Sequence, residues 1–599
     1  LRFDLRWISM LLMPIMVLSL FPAYSPFYSA QNRKWWTWYL ALVTFAVVFF
    51  FAADFGCFFY NQTRLNASAL NFAEDPGTSA LMLWQSYPVL WMVLGLVLLV
   101  IGLRWVFTQT HNWVATHTGN AAYQRAPIVV TTLLFALLIY GSVNTQPLRW
   151  MNAFGLNDSF RAYVALNPLQ NFFTTLQFRK PQSVPQPDAQ HLQPVQEWMG
   201  LATGADGFRR SYMGTNLPLQ KKPNVVLVLC ESFSMYKSSL SGNALNATPR
   251  FAQLAKEGVL FERCFTPHFS TARGLFATLT GIPDVQLSKF SSRNPLALDQ
   301  RCIINDFEGY AKYYFLGGDA DFNNFRGIVQ NIEGLQLVAG PEPDEKPASV
   351  WGLSDKDLFL KADKMLAQED QPFFAIIQTA DNHRPFSTAA ADSSFDMKMV
   401  SPEVLQRWGF ESVEEYNALR HADASIGAFI EAARQSKYFQ NTLFVFVGDH
   451  GVAGNARAVY PDVWTTERLT DEHVPLLFYA PGILAPQVRK EVVSQVDVLP
   501  TIAGITGESY TNTTLGRDVY RPFNPNPYAF IIHHDAGRIG MVTNEFYFSK
   551  NLNFQKEELH PLQPLTYTPA QQDSIKKQLS VVSTAYYESA RWLLLNNKK

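Results

Sequence analysis

The chain has 599 residues, too many for one ordinary domain, and its 48 % hydrophobic content is concentrated in the first quarter. That asymmetry is the pattern of a membrane protein with a soluble domain attached. A formal net charge of -1 and the lack of any long basic run exclude an electrostatic case for nucleic acid as partner.

Four apolar stretches are long enough, or nearly so, to cross a bilayer: Trp7 to Tyr24, Trp35 to Phe59, Leu81 to Leu103, and Ile128 to Val143. Trp and Tyr crowd their ends, as in interfacial belts. The first and last are short, and the first contains Pro14, so each also reads as a buried soluble helix. Arg33 and Lys34 precede the second stretch, and Arg104 and Arg125 bracket the loop before the fourth. The loop from Asn61 to Ser79 has only Arg64 against Glu74 and Asp75. The two more basic loops are therefore expected in the cytoplasm and everything after Val143 outside it. Arg2-Phe3-Asp4 reads as a short polar loop, so a further crossing upstream of Leu1 is expected. No small-residue cleavage site follows the first stretch, which argues against a signal peptide.

Residues 151–222 are expected to form juxtamembrane helices and a linker, with four prolines between Lys180 and Pro194. From 223 to about 525, apolar strands alternate with helical stretches, which predicts a doubly wound, mainly parallel α/β sheet. Asn224 to Cys230 is a continuous apolar run that ends at Glu231-Ser232. Pro372 to Thr379 leads into Asp381-Asn382-His383, and His473 precedes Pro475 to Tyr479. Thr442 to Gly448 ends in Asp449-His450-Gly451. In open α/β sheets, ligands collect at the carboxyl ends of strands, although Gly-Asp-His-Gly reads equally as a turn. From 526 onward, short apolar runs suggest a small antiparallel unit. A final amphipathic helix is expected there, with Ile575, Leu579, Val582 and Tyr586 on one face. His533-His534 with Asp535 reads as structural.

Of the four cysteines, Cys57 lies in an apolar segment and Cys230 in a strand, so only Cys264 and Cys302 could pair. No GxGxxG follows a strand and no Walker loop is present, which leaves nucleotide binding without support.

His268 to Leu275 is a small-residue loop entering a helical pattern, where Thr271 reads first as a cap. Glu231, Thr271, Asp449 and His450 together offer side-chain oxygens and one imidazole nitrogen, a set suited to a divalent ion such as manganese or zinc. A threonine oxygen on such an ion, at a helix N-terminus, is an activated nucleophile for phosphorus.

Glu231, Thr248-Pro249, Ser270-Thr271-Ala272, Asn382-His383, Val447 to Gly451, His473-Val474-Pro475 and Val496 to Thr501 together resemble the alkaline phosphatase and sulfatase superfamily. Within it they most resemble the lipoteichoic acid synthase family of membrane-anchored phosphoglycerol transferases. The resemblance implies that Thr271 takes a phosphoglycerol group from phosphatidylglycerol and passes it to an envelope glycan or lipid. It also implies one divalent ion, manganese first and zinc or magnesium next, on Glu231, Thr271, Asp449 and His450. His383 and His473 would bind phosphate or move protons, and Asp319 and Arg326 lie in a segment similar to the family's substrate-binding stretch. The catalytic domain would face the extracytoplasmic side of a bacterial inner membrane. A His and a Trp found in that stretch of Gram-positive relatives are absent, which leaves donor and acceptor open. Rival readings are a phosphoethanolamine transferase, whose relatives carry several disulfides, and a phosphodiesterase or sulfatase-like hydrolase. A lipid-binding regulator is a third reading, but it should lack ligands and none is missing. Thr271-Ala272-Arg273 lacks the C/S-x-P-x-R pattern a sulfatase needs.

Overall fold

The computed structural model describes residues 1–599 except 62–63, 118–124, 144–145, 150–151, 154–163, 180–186, 188, 203–206, 215–221, 288, 521–525, 535, 553–555 and 599. Asp535 and much of the Pro-rich stretch lie outside the described residues. Two compact units emerge: residues 1–74 with 83–180, and residues 75–82 with 181–599.

In the first unit, two helices among the described residues are long and apolar enough to cross a bilayer, Ala30–Phe59 and Val89–His117. The other two of the four expected stretches form shorter helices. The first stretch forms Arg2–Leu18, which contains Pro14, and the fourth contributes the shorter apolar helix Pro127–Tyr140. The third stretch is divided: one helix ends at Ser86 and the next begins at Val89, because Pro88 cannot donate to the preceding turn. Along Val89–His117, Leu90, Trp91, Leu98, Ile101 and Trp105 are exposed, as a lipid-facing surface requires. The two long helices are tied by Thr37 Oγ1 and His111 Nδ1 at 2.8 Å. Asp54 accepts from the Leu65 N–H at 2.8 Å and pairs with Arg64 at 3.0 Å, so its buried carboxylate is satisfied.

The second unit is built on an eight-stranded sheet. Its members are β2 (Asn224–Cys230), β3 (Val259–Phe265), β4 (Ala311–Leu316), β5 (Leu335–Ala339), β6 (Phe373–Gln378), β7 (Thr442–Gly448), β8 (His473–Tyr479) and β9 (Gln487–Ser494). Their order is β5-β4-β6-β2-β7-β8-β3-β9, and only β8 runs against its neighbours. Val225, Leu227 and Leu229 of β2 enter one core, whereas Val226, Val228 and Cys230 enter the other. Both faces are covered, which is why the strand reads as unbroken apolar sequence rather than alternating. Each such side chain taken out of water contributes about 1.5–3 kcal/mol. β6, β2 and β7 lie side by side in the same direction, so their carboxyl ends deliver Asn382-His383, Glu231 and Asp449-His450 to one edge.

A short pair, β1 (Arg210–Tyr212) with β10 (Tyr510–Asn512), flanks this sheet. β11 (Tyr528–His533), β12 (Arg538–Thr543), β13 (Phe546–Asn551) and β14 (Glu557–Pro561) form the antiparallel tail sheet. The final helix, Pro569–Asn596, starts with a capping box between Thr568 and Gln571 and buries Leu579, Val582 and Tyr586, with Ile575 packed beside them. Cys264 and Cys302 are free, buried thiols, so the one pairing the sequence allowed does not form.

Candidate active site

Three strand ends and one helix start build the site. Glu231 follows β2, and its N–H donates to Thr379 Oγ1 at the end of β6 (2.8 Å). Ser232 takes a left-handed conformation (φ 51), which turns its N–H onto Asp449 Oδ1 at 2.8 Å. Such a backbone is strained for a residue with a Cβ, and it persists where neighbours fix it. The His450 N–H also donates to Asp449 Oδ1 (2.7 Å), so one oxygen of this buried carboxylate is doubly satisfied. The other, Oδ2, is buried and has no hydrogen-bond partner.

Thr271 is the first residue of the helix Thr271–Thr280. Its Oγ1 lies 3.3 Å from Glu231 Oε2 and 3.3 Å from His450 Nε2. The other ring nitrogen of His450, Nδ1, faces the Gly451 carbonyl at 2.7 Å and must donate to it. Nε2 therefore presents a lone pair, 3.8 Å from Glu231 Oε1 and 3.7 Å from Asp449 Oδ2. Burial, and then the neighbouring Asp449, push the Glu231 carboxyl well above its ordinary range. Glu231, Asp449 and His450 form, among the described residues, the one group of three such side chains close enough to share an ion. Two clustered carboxylates, an orphaned carboxylate oxygen and an aimed imidazole lone pair fit a divalent cation.

His383 stands at the edge of this cluster. Its Nδ1 donates to the Arg384 carbonyl (2.8 Å), which again leaves Nε2 as an acceptor. Burial lowers its pKa to about 4, so the ring is neutral near pH 7. The indole of Trp351 meets it edge to face at 4.3 Å between centroids, donates Nε1–H to the same Arg384 carbonyl (2.7 Å), and meets Phe322 at 5.4 Å. Trp351 went unnoticed in the sequence because no strand end or motif marks it; the Trp-Gly pair in a turn was its only signal.

The structure does not bring every expected residue together. His473 is in line with the cluster by strand end, but its ring is turned into Phe265, Trp464 and Tyr460, with Nε2 donating to the Glu262 carbonyl at 2.8 Å. Arg326 is half exposed and pairs with Asp321 at 2.6 Å, while Asp319 accepts from the Asp321 N–H. That segment reaches His383 through Phe322, whose ring meets Trp351, which in turn meets His383. His268, buried, contacts His534 through Nε2 and Nδ1, and Phe269 stacks on it.

Residues 223–508 match the family model described as Sulfatase. The chain is 22 % identical over 361 residues to lipoteichoic acid synthase-like YvgJ of Bacillus subtilis (strain 168), covering 57 % of this chain and 55 % of that protein. It is 24 % identical over 351 residues to phosphoglycerol transferase I of Xanthomonas campestris pv. campestris (strain B100), covering 55 % of this chain and 47 % of the relative. The chain thus spans about half the length of these two relatives. The crystal structure of the lipoteichoic acid synthase LtaP from Listeria monocytogenes superposes with a TM-score of 0.53 at 18 % identity, covering 67 % of this chain and 98 % of that one. That likeness concerns the fold.

Proposed function

Because residues 223–508 form a sulfatase-family domain, we propose that the protein is a membrane-anchored phosphoglycerol transferase that works through a phospho-threonine on Thr271. The observation that carries this reading is the placement of Thr271 Oγ1 at 3.3 Å from both Glu231 and His450, at the start of a helix. A divalent ion held by Glu231, Thr271, Asp449 and His450, manganese first and zinc or magnesium next, would lower the hydroxyl pKa and offset charge on the phosphoryl oxygens.

The remaining steps belong to the chain. Thr271 Oγ1 gives up its proton and forms a bond to the phosphorus of phosphatidylglycerol, while the bond to the diacylglycerol oxygen breaks and that oxygen takes a proton. In the second half, an acceptor hydroxyl attacks the phospho-threonine and Thr271 leaves. The fixed tautomer of His383 makes Nε2 a proton acceptor, which suits it to receive the hydrogen of a glycerol or acceptor hydroxyl. The N-terminus of the helix Thr271–Thr280 favours the phosphate anion. A threonine cannot be oxidised to the aldehyde that sulfate ester hydrolysis on this fold requires, which favours transfer of a phosphoryl group. Asp319 and Arg326 would contact the donor or acceptor only after Arg326 leaves Asp321, and we assign His473 to packing. The expected setting is the bacterial inner membrane with this domain outside the cytoplasm.

Intact-mass spectrometry of the metal-loaded full-length protein, incubated with phosphatidylglycerol or with phosphatidylethanolamine, tests this. A glycerophosphate adduct on Thr271, absent in Thr271→Ala, is the expected result. A phosphoethanolamine adduct would move the protein to a different transferase class, and no adduct with bound metal would remove the covalent mechanism.

A further inference from the structure

His421 lies in the middle of the helix Val413–Ala433, away from the reacting groups, yet both of its ring nitrogens face carboxylates. Nδ1 is 3.0 Å from Asp381 Oδ2 and Nε2 is 3.2 Å from Asp392 Oδ2, and the ring is buried. A neutral imidazole has one N–H and could satisfy only one of them, so this geometry calls for the doubly protonated ring. The two carboxylates are the two ends of one segment. Asp381 follows β6 and stands two residues before His383, and Asp392 follows the short helix Thr388–Ala391.

We propose that His421 is a positioning residue that clasps both ends of the Asp381–Asp392 segment and thereby sets His383, and the Glu231 loop beside it, for turnover. The clasp reaches the site through short covalent and hydrogen-bonded steps. Asn382, adjacent to Asp381, donates its amide Nδ2 to the carbonyls of Glu231 (3.2 Å) and Ser232 (3.1 Å). The His383 N–H closes a turn onto the Ala380 carbonyl (3.1 Å). Asp355, at the start of the helix Asp355–Leu366, accepts from the Ala380 and Asp381 N–H groups (2.7 and 3.2 Å), and its own N–H donates to Asp381 Oδ2 (2.9 Å). Release of either end frees the stretch that holds His383.

The charged and titratable groups around the ring are few. Asp381 and Asp355 face it from the end of β6 and the adjoining helix start, and Asp392 faces it from the other side with Lys356 at 3.6 Å from that carboxylate. Phe395 covers the ring edge to face at 5.1 Å, and Arg420, on the same helix, lies over Phe395. Burial pulls the His421 pKa down, but the contacts with Asp381, Asp392 and Asp355 outweigh it and hold the pKa above the ordinary value. The carboxyl of Asp355 is itself pushed well up by burial and by Asp381. With a raised folded pKa, the clasp is complete below the ordinary histidine range and is lost as pH rises through the folded value.

The activity readouts rest on the transferase reading above; the exchange readouts do not. In the full-length, metal-loaded protein, C2-hydrogen exchange at each histidine followed by mass spectrometry should give His421 a pKa above the ordinary histidine value. A value at or below it would overturn the clasp. His421→Gln should keep its bound metal, speed amide exchange in peptides spanning 381–396, lower kcat about ten-fold and lose the alkaline limb of the pH profile. Wild-type exchange and a wild-type pH profile in that variant would sink the proposal. If His421→Gln fails to fold, Asp392→Asn decides, because it cuts only one end: it should lower the His421 pKa and speed the same amide exchange, and unchanged values overturn the assignment. Should the wild type transfer nothing from either lipid, the exchange results still judge the clasp while the transferase reading alone falls.

Discussion

Gly274 presses its backbone against the carbonyl of Asp449: a Cβ placed there would lie 2.3 Å from that oxygen. This contact seats the helix carrying Thr271 directly on the strand end carrying two metal-ligand candidates. Neither partner is a flexible side-chain tip, so nothing can yield cheaply. Gly274→Ala is expected to push the helix away, destabilise the protein by about 1–3 kcal/mol and loosen the Thr271 to His450 spacing. Thermal unfolding and bound-metal content measure both effects. A variant with wild-type melting and metal content would refute the tight seating.

The two oxygens of Asp449 have separate duties, and a conservative substitution can divide them. Asp449→Asn keeps an acceptor for the N–H groups of Ser232 and His450 but removes the charge and the orphaned oxygen. Its fold should survive while its affinity for manganese falls by more than about ten-fold, read by calorimetry. Stripping the wild type with chelator should lower its melting temperature, and 100 Kd of added ion should restore about 2.7 kcal/mol. A chelator-insensitive melt would count against a bound ion.

Protonation of His473 offers a pH test. Burial lowers its pKa to about 3, below the ordinary value near 6.5. A depressed folded pKa means stability is fully present above the unfolded pKa and lost as pH falls through the folded value, by up to about 1.4 kcal/mol per pH unit. His473→Phe keeps a ring against Phe265 and Trp464 and should flatten the decline in stability between pH 6.5 and about 3. Denaturant titrations across that range would show it. Because the ring faces away from the cluster, metal binding and turnover should persist, and loss of turnover with metal retained would return His473 to proton transfer.

Trp351 contributes a wall rather than a proton. Trp351→Ala removes the ring that meets His383 at 4.3 Å and the N–H that donates to Arg384, and should cost about 1 kcal/mol, roughly five-fold, mostly in KM. Trp351→Phe should recover part of it. Steady-state kinetics with unchanged metal content would separate this from damage to the ion site.

Much of the site was legible because its chemistry sits at strand ends. Val225 to Cys230 and Leu443 to Gly448 read as buried strands, and each is followed at once by Glu231 or Asp449. Thr271 was legible as a hydroxyl opening a helix, but only the fold shows that this helix meets β7 through Gly274. His473 stands beside the right strand end, and sequence alone cannot say which way a ring at that end turns; Phe265, paired opposite it, and Trp464 draw it into an aromatic box. Trp351 arrives from a turn after β5, with no periodicity to announce it. Pro88 divides the third apolar stretch, which reads as continuous by composition, and the helix after it starts at Val89.

The family match stops at residue 508, but the loop ahead of Thr271 does not stand alone there. Pro267 accepts from the Ile532 N–H at 2.9 Å, and His268 rests against His534, both on or just after β11. A chimera joined near 508, the natural seam for anyone exchanging domains between relatives, would leave these tail residues behind or pair them with a foreign loop. The workable seam for exchanging this domain lies beyond the tail sheet, with the final helix travelling as part of the same body.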